Sequence, residues 1–182
     1  VESQKISKSL GNVIDPFDLI KKYGTDAVRY YLLREIPAYG DGDFSENRFK
    51  ELYNADLANG LGNLVSRVAK LAEKVKPQNL ASQEDVLRSY SFNDNYGLAL
   101  AEFRFNDALA FIWEKVNLAN KTVDEAKPWE LKGEALNKVL EKVIQQILEI
   151  AVLLEPFLPE TSEKIEKIFT NPLVQIQPSL FS

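Results

Sequence analysis

Asn54-Ala55-Asp56-Leu57-Ala58-Asn59-Gly60-Leu61-Gly62-Asn63-Leu64-Val65-Ser66-Arg67-Val68-Ala69-Lys70-Leu71-Ala72 carries its apolar residues at intervals of three and four. At roughly 100° per residue, Leu57, Leu61, Leu64, Val65, Val68, Leu71, Ala72 and Val75 fall within about 120° of one another. A stripe of that width belongs to a helix packed against a core. Gly60 and Gly62 lower helix propensity but keep the period, and a residue without a side chain lets another backbone come close. Ser45 suits the cap of this pattern and Pro77 its end.

Working outward, the same period recurs. Asp15-Pro16 reads as a helix start, with Phe17, Ile20 and Tyr23 as its stripe and Gly24 as its C-cap. Thr25-Asp26 opens a second short helix bearing Val28, Tyr31 and Leu32, which Pro37 ends. Residues 38–44 are a turn-rich connection. Beyond a polar connection at 77–94, a long helix is predicted from about Asn93 to Lys121, lined by Leu98, Ala101, Phe105, Ala108, Ile112, Val116 and Ala119. A break centred on Pro128 follows. Another long helix is predicted from about Glu134 to Leu154, with a deeply buried end at Val152-Leu153-Leu154. Pro159-Glu160-Thr161 begins a last helix to about Phe169. The expected fold is all-α: a helical bundle over residues 45–182, preceded by a loop and a short αα segment over 1–44.

Composition narrows the chemistry. The 182 residues are 45% hydrophobic and 27% charged, ordinary for a globular chain, and no apolar run approaches the ~20 residues that span a bilayer. Val1 to Ser9 is polar, so no secretory signal is expected. The chain has no Cys and no His, which removes disulfides, thiolate metal sites and the usual neutral-pH acid–base group. It opens on Val1 and holds no Met, so it is expected to be a piece of a longer protein without a complete active site. Net charge is −5 and uneven: residues 1–80 carry 12 basic and 11 acidic side chains, residues 81–182 carry 10 and 16. Contacts with a polyanion are therefore expected to be few and local.

Lys5-Ile6-Ser7-Lys8-Ser9-Leu10-Gly11-Asn12 sets two lysines three apart in a Gly/Ser loop. Each ammonium is a point charge for phosphate oxygens, and the plain alternative is a solvated polar segment. Asn63 and Arg67 are i and i+4, neighbours on the flank of the apolar stripe. Asn offers a donor and an acceptor to a base edge, and Arg a fork and a stacking plane; the alternative is a solvated flank. Trp129, stiffened by Pro128, either presents an open ring for a base or plugs the end of the bundle. Trp113 lies within a stripe and reads as core. Asp41 and Asp43 are too few to hold a cation and read as loop. Arg29 and Arg34 either face a nucleic acid or pair with Asp26 and Glu35, and Lys70, Lys74 and Lys76 suit a helix C-terminus.

The loop resembles the Lys-Met-Ser-Lys-Ser signature of class I aminoacyl-tRNA synthetases, with Ile6 in the Met position and both lysines kept. Asp15-Pro16 and Tyr23-Gly24-Thr25-Asp26-Ala27-Val28-Arg29-Tyr30 extend the resemblance. Gly42-Asp43-Phe44-Ser45, the Asn54–Arg67 block, Ala119-Asn120-Lys121, Pro128-Trp129 and Pro156-Phe157-Leu158-Pro159-Glu160-Thr161 are similar to methionyl-tRNA synthetases in particular. The resemblance implies a parent enzyme that ligates methionine to tRNA(Met) with ATP and Mg²⁺ in the cytoplasm. It implies that Lys5 and Lys8 belong to the loop that clamps ATP, with Lys8 the better match for pyrophosphate contact. It also implies that Asn63, Arg67 and Trp129 read the anticodon stem-loop, with Trp129 against its first base, a cytosine. The nucleotide-binding half would lie in the N-terminal catalytic domain in cis, and this chain alone would bind no cofactor, hold no metal and form no aminoacyl-adenylate. Two other readings stay open: the equivalent part of an isoleucyl, valyl, leucyl or cysteinyl enzyme, and a helical protein-interaction module without an RNA role, which expects a buried Trp129 and an Asn63–Arg67 pair engaged only with protein.

Overall fold

The computed structural model describes residues 14–39, 41–73, 95–170 and 180–181. The signature loop with Lys5 and Lys8, the connection at 77–94, and Lys74, Val75 and Lys76 lie outside them. Eight α-helices occur among the described residues: α1 (Pro16–Tyr23), α2 (Thr25–Glu35), α3 (Glu46–Leu52), α4 (Asn63–Ala72), α5 (Asn95–Ala101), α6 (Phe105–Ala126), α7 (Gly133–Leu154) and α8 (Pro159–Thr170). A π-helical segment, Tyr53–Gly62, joins α3 to α4, and a 3₁₀ turn, Pro128–Glu130, follows α6. There is no strand among these residues, so the all-α expectation holds.

Local chemistry sets the helix ends. The Asp15 carboxylate accepts the Phe17 N–H at 2.8 Å, and Pro16 supplies the first helical residue. Gly24, at φ +85°, closes α1 by donating its N–H to the Ile20 carbonyl. The Ser45 hydroxyl accepts from the Arg48 N–H at the start of α3.

Leu57, Leu61, Leu64, Val65, Val68 and Ala72 are buried as the stripe requires. They meet Ala108, Ile112, Val116 and Ala119 of α6 and Leu140, Ile144, Ile147 and Ala151 of α7 in one apolar cluster. Each buried Leu, Ile or Val side chain among them stabilises the fold by about 1.5–3 kcal/mol relative to exposure, and each Ala by less.

Two elements differ from expectation. The pattern from Ser45 to Ala72 is not one α-helix: over Tyr53–Gly62 the ladder widens to bonds five residues apart, the last donated by Asn63 N–H to Ala58 O. A Cβ at Gly60 would lie 3.2 Å from the Ala55 carbonyl oxygen, and one at Gly62 would lie 3.1 Å from that of Leu57 and 3.4 Å from the Phe181 ring. The tight contact at each glycine is with the segment's own carbonyl five residues back, and at Gly62 the Phe181 ring also comes close.

The helix expected over Asn93–Lys121 is broken between α5 and α6. Phe103 takes φ +57°, Phe103 N–H donates to Leu100 O at 3.1 Å, and Arg104 N–H donates to Ala99 O at 2.8 Å. This bond pair is a Schellman stop with Phe in the seat that glycine usually fills. The stop turns α5, burying Tyr96 and Ala99 and leaving Leu98 and Ala101 of the expected stripe exposed, with Phe103 beside them.

The short αα segment shares the main core. Tyr30, Tyr31, Ala27 and Val28 of α2 are buried in the same cluster as the bundle. Arg29 donates to the carbonyls of Phe157 (2.7 Å) and Pro156 (2.9 Å), where α7 ends. Asp26 accepts the Thr161 N–H at 2.7 Å, capping the first turn of α8 from another helix. Arg34 donates to Asn106 O, and Glu35 holds Arg48 at 2.9 Å. The four charges thus engage other partners than the pairs Arg29–Asp26 and Arg34–Glu35 weighed from sequence.

Candidate nucleic-acid interface

At one end of the bundle α4, the end of α6 and the 3₁₀ turn converge. Lys127, at φ +45°, ends α6 in a left-handed conformation, its N–H closing on Val123 O at 3.0 Å. Pro128 follows and is buried, anchoring the turn. Glu130 and Leu131 N–H close back onto Lys127 O and Pro128 O. With both flanks tied down, the Trp129 ring is directed outward and is 53% exposed.

Arg67 projects from α4 toward that ring. Its guanidinium carbon lies 5.8 Å from the Trp129 ring centroid, within cation–π range. Its Nη2 donates to Asp124 Oδ1 of α6 at 2.8 Å. Asn63, one turn earlier on the same face, is exposed and makes no side-chain hydrogen bond among the described residues. The structure therefore brings Arg67 and Trp129 together and sets Asn63 on the adjoining surface. Trp113, by contrast, is buried and lies against Tyr30, ring centroids 4.5 Å apart.

Most cations of this end lie in exposed ion pairs. Asp124 offsets the charge of Arg67, Lys121 faces Glu125 at 3.7 Å, and Lys127 faces Glu130 at 3.8 Å. Surface pairs of this kind contribute about 0–1 kcal/mol and open readily. Lys70 and Lys132 remain exposed nearby in sequence. An open indole beside a guanidinium and a free amide can stack a base and hydrogen-bond its edge. No group of three or more acidic side chains fit to hold a metal ion occurs among the described residues, and Asp41 and Asp43 are exposed.

Two pairings of this region, Asp124 with Arg67 and Asn120 with Gly60, escaped sequence reasoning. Asp124 is 57 positions from the arginine it holds. Asn120 donates to Gly60 O at 3.2 Å across the helix interface and to Val116 O at 3.1 Å in its own helix. Neither pairing leaves a local signal, because each joins helices remote in the chain.

Known proteins resemble the chain over nearly its whole length. The family model "tRNA synthetases class I (M)" matches residues 1–69. A methionine–tRNA ligase of Clostridium acetobutylicum is 41% identical over 179 residues, covering 91% of this chain and 28% of the relative. One from Synechocystis is 40% identical over 90% of the chain and 33% of its own length, and one from Bacillus subtilis 38% over 88% and 26%. The Mycobacterium tuberculosis methionyl-tRNA synthetase bound by methionyl-adenylate superposes with a TM-score of 0.82 at 26% identity, over 98% of this chain and 42% of that one. The chain thus spans about a quarter to a third of the curated relatives cited here, matching their C-terminal part. It belongs to the methionyl-tRNA synthetase family.

Proposed function

We propose that residues 45–182 are the anticodon-binding domain of a methionine–tRNA ligase and read the CAU anticodon of tRNA(Met). Trp129 stacks on the first anticodon base, Arg67 and Asn63 hydrogen-bond base edges, and the rest of the bundle holds them in place. The observation that carries this reading is the half-exposed Trp129 ring set beside the Arg67 guanidinium. The interaction-module reading expects a buried Trp129 with Asn63 and Arg67 engaged only with protein; Trp129 is half exposed, while Arg67 holds Asp124 and lies over the Trp129 ring. Residues 1–44 join the bundle to the parent's catalytic region, in which Lys5 and Lys8 contact the ATP phosphates, a role taken from their place in the signature. The full-length parent activates methionine with ATP and passes it to the tRNA 3′ end, and Mg²⁺ would accompany the nucleotide there. The chain alone is proposed to form no adenylate; exchange activity from the pure chain would refute that.

With few unpaired cations near the site, binding to an isolated hairpin is weak and falls as salt rises. In the parent, a second attachment through the acceptor end raises the effective affinity. Fluorescence tests the stacking directly. In a Trp113→Phe background, emission from Trp129 is expected to quench on titration with a short CAU stem-loop at low salt. An unchanged emission in the presence of bound hairpin would remove Trp129 from the interface.

A further inference from the structure

We infer that Asn120 is a positioning residue for the anticodon site: its side-chain amide pins the π segment and so sets the register in which Asn63 and Arg67 meet Trp129. The inference rests on the reading of that site given above. Extended π segments are rare and concentrate where function needs an offset in a helix. This one runs directly into Asn63, whose N–H still donates five residues back, to Ala58 O. Ordinary α-helical residues follow from there to Ala72. The changeover therefore falls at the first residue of the proposed site.

A one-residue change of register would turn everything beyond it by about 100° and shift it by about 1.5 Å. Arg67 would then leave both Asp124 and the Trp129 ring. Something outside the segment must hold the changeover in place. A Cβ on Gly60, three residues before Asn63, would meet Trp113 Nε1 of α6 at 3.9 Å, an ordinary van der Waals distance, so α6 packs directly on the segment here. One helical face of α6 thus presents Trp113 and, two turns on, Asn120 to the segment. The Trp113 N–H is buried without a hydrogen-bond partner, whereas Asn120 donates to Gly60 O.

The chemistry suits an amide. One NH₂ group has two protons, and Asn120 directs them to Gly60 O and Val116 O at 3.2 and 3.1 Å. One bond fixes the side chain to α6, and the other fixes the segment to the side chain. An aspartate of the same shape would turn acceptors toward two carbonyls.

The test uses the full chain. Asn120→Asp is expected to lower affinity for a CAU stem-loop by about tenfold and to bring the CAU-over-GAU preference close to one. Asn120→His, whose ring N–H can donate, is expected to recover part of the preference. Amide exchange of Leu61 to Arg67 is expected to speed up in Asn120→Asp while that of Ile144 to Leu154 in α7 does not. General loss of stability would accelerate both. If Asn120→Asp fails to fold, Asn120→Ala takes its place in each arm. Retained preference in the variant, or unchanged exchange across 61–67, would overturn the inference. If the wild-type chain shows no preference between hairpins, the reading of the site fails, and exchange alone then decides whether Asn120 pins the segment.

Discussion

Phe157→Ala is expected to lower the unfolding free energy by about 3–5 kcal/mol, the range for removing a fully buried phenylalanine. Its ring is 2% exposed and meets Phe105 edge-on with centroids 6.3 Å apart. Its carbonyl accepts the Arg29 Nε–H, so the residue sits where α2, the start of α6 and the α7–α8 turn meet. A cavity there loosens all of them together. In urea, far-ultraviolet circular dichroism and tryptophan emission are therefore expected to shift together to a lower midpoint, as one cooperative unit requires. A loss below about 1 kcal/mol, or two separate transitions, would show that α2 is not built into the core.

Trp129→Ala is expected to have the largest effect on RNA binding. Base–aromatic stacking contributes about 1–3 kcal/mol per base, or roughly 5- to 150-fold in affinity for a stem-loop. Arg67 also loses the ring face it lies over, though Asp124 still holds its Nη2. The ring is half exposed and its turn is anchored by Pro128, so the stability change is expected to stay within about 0.5–1 kcal/mol. Isothermal titration of the two proteins with one hairpin, beside their thermal midpoints, separates the two effects. Trp129→Phe, which keeps an aromatic face, is expected to retain most of the affinity. Equal loss in Phe and Ala variants would mean that the indole N–H carries the contact rather than the ring face.

The bundle was legible because burial repeats whatever the ladder. Leu57 and Leu61 in the π stretch and Leu64, Val65 and Val68 in the α stretch all face the core, because a spacing of four stays near one face of either coil. The widened ladder itself was not legible. Gly60 and Gly62 marked a close approach but not its geometry, which also involves the Asn120 amide arriving from another helix. The stop between α5 and α6 was hidden because Phe103 occupies a left-handed seat without the glycine that announces one. At the site, Asn63, Arg67 and Trp129 were named through the resemblance, and geometry adds their relation: a guanidinium over a ring and an amide on the adjoining surface. Asp124 and the Arg29 clasp on α7 were not foreseeable, because each joins groups far apart in the chain.

The most direct measurement is the affinity of this chain at low salt for a short stem-loop carrying CAU, against the same stem-loop carrying GAU. A cytosine read by stacking on Trp129 and by hydrogen bonds from Arg67 and Asn63 predicts a preference for CAU of about tenfold or more. Equal affinity for both, with binding present, would contradict anticodon reading by these residues.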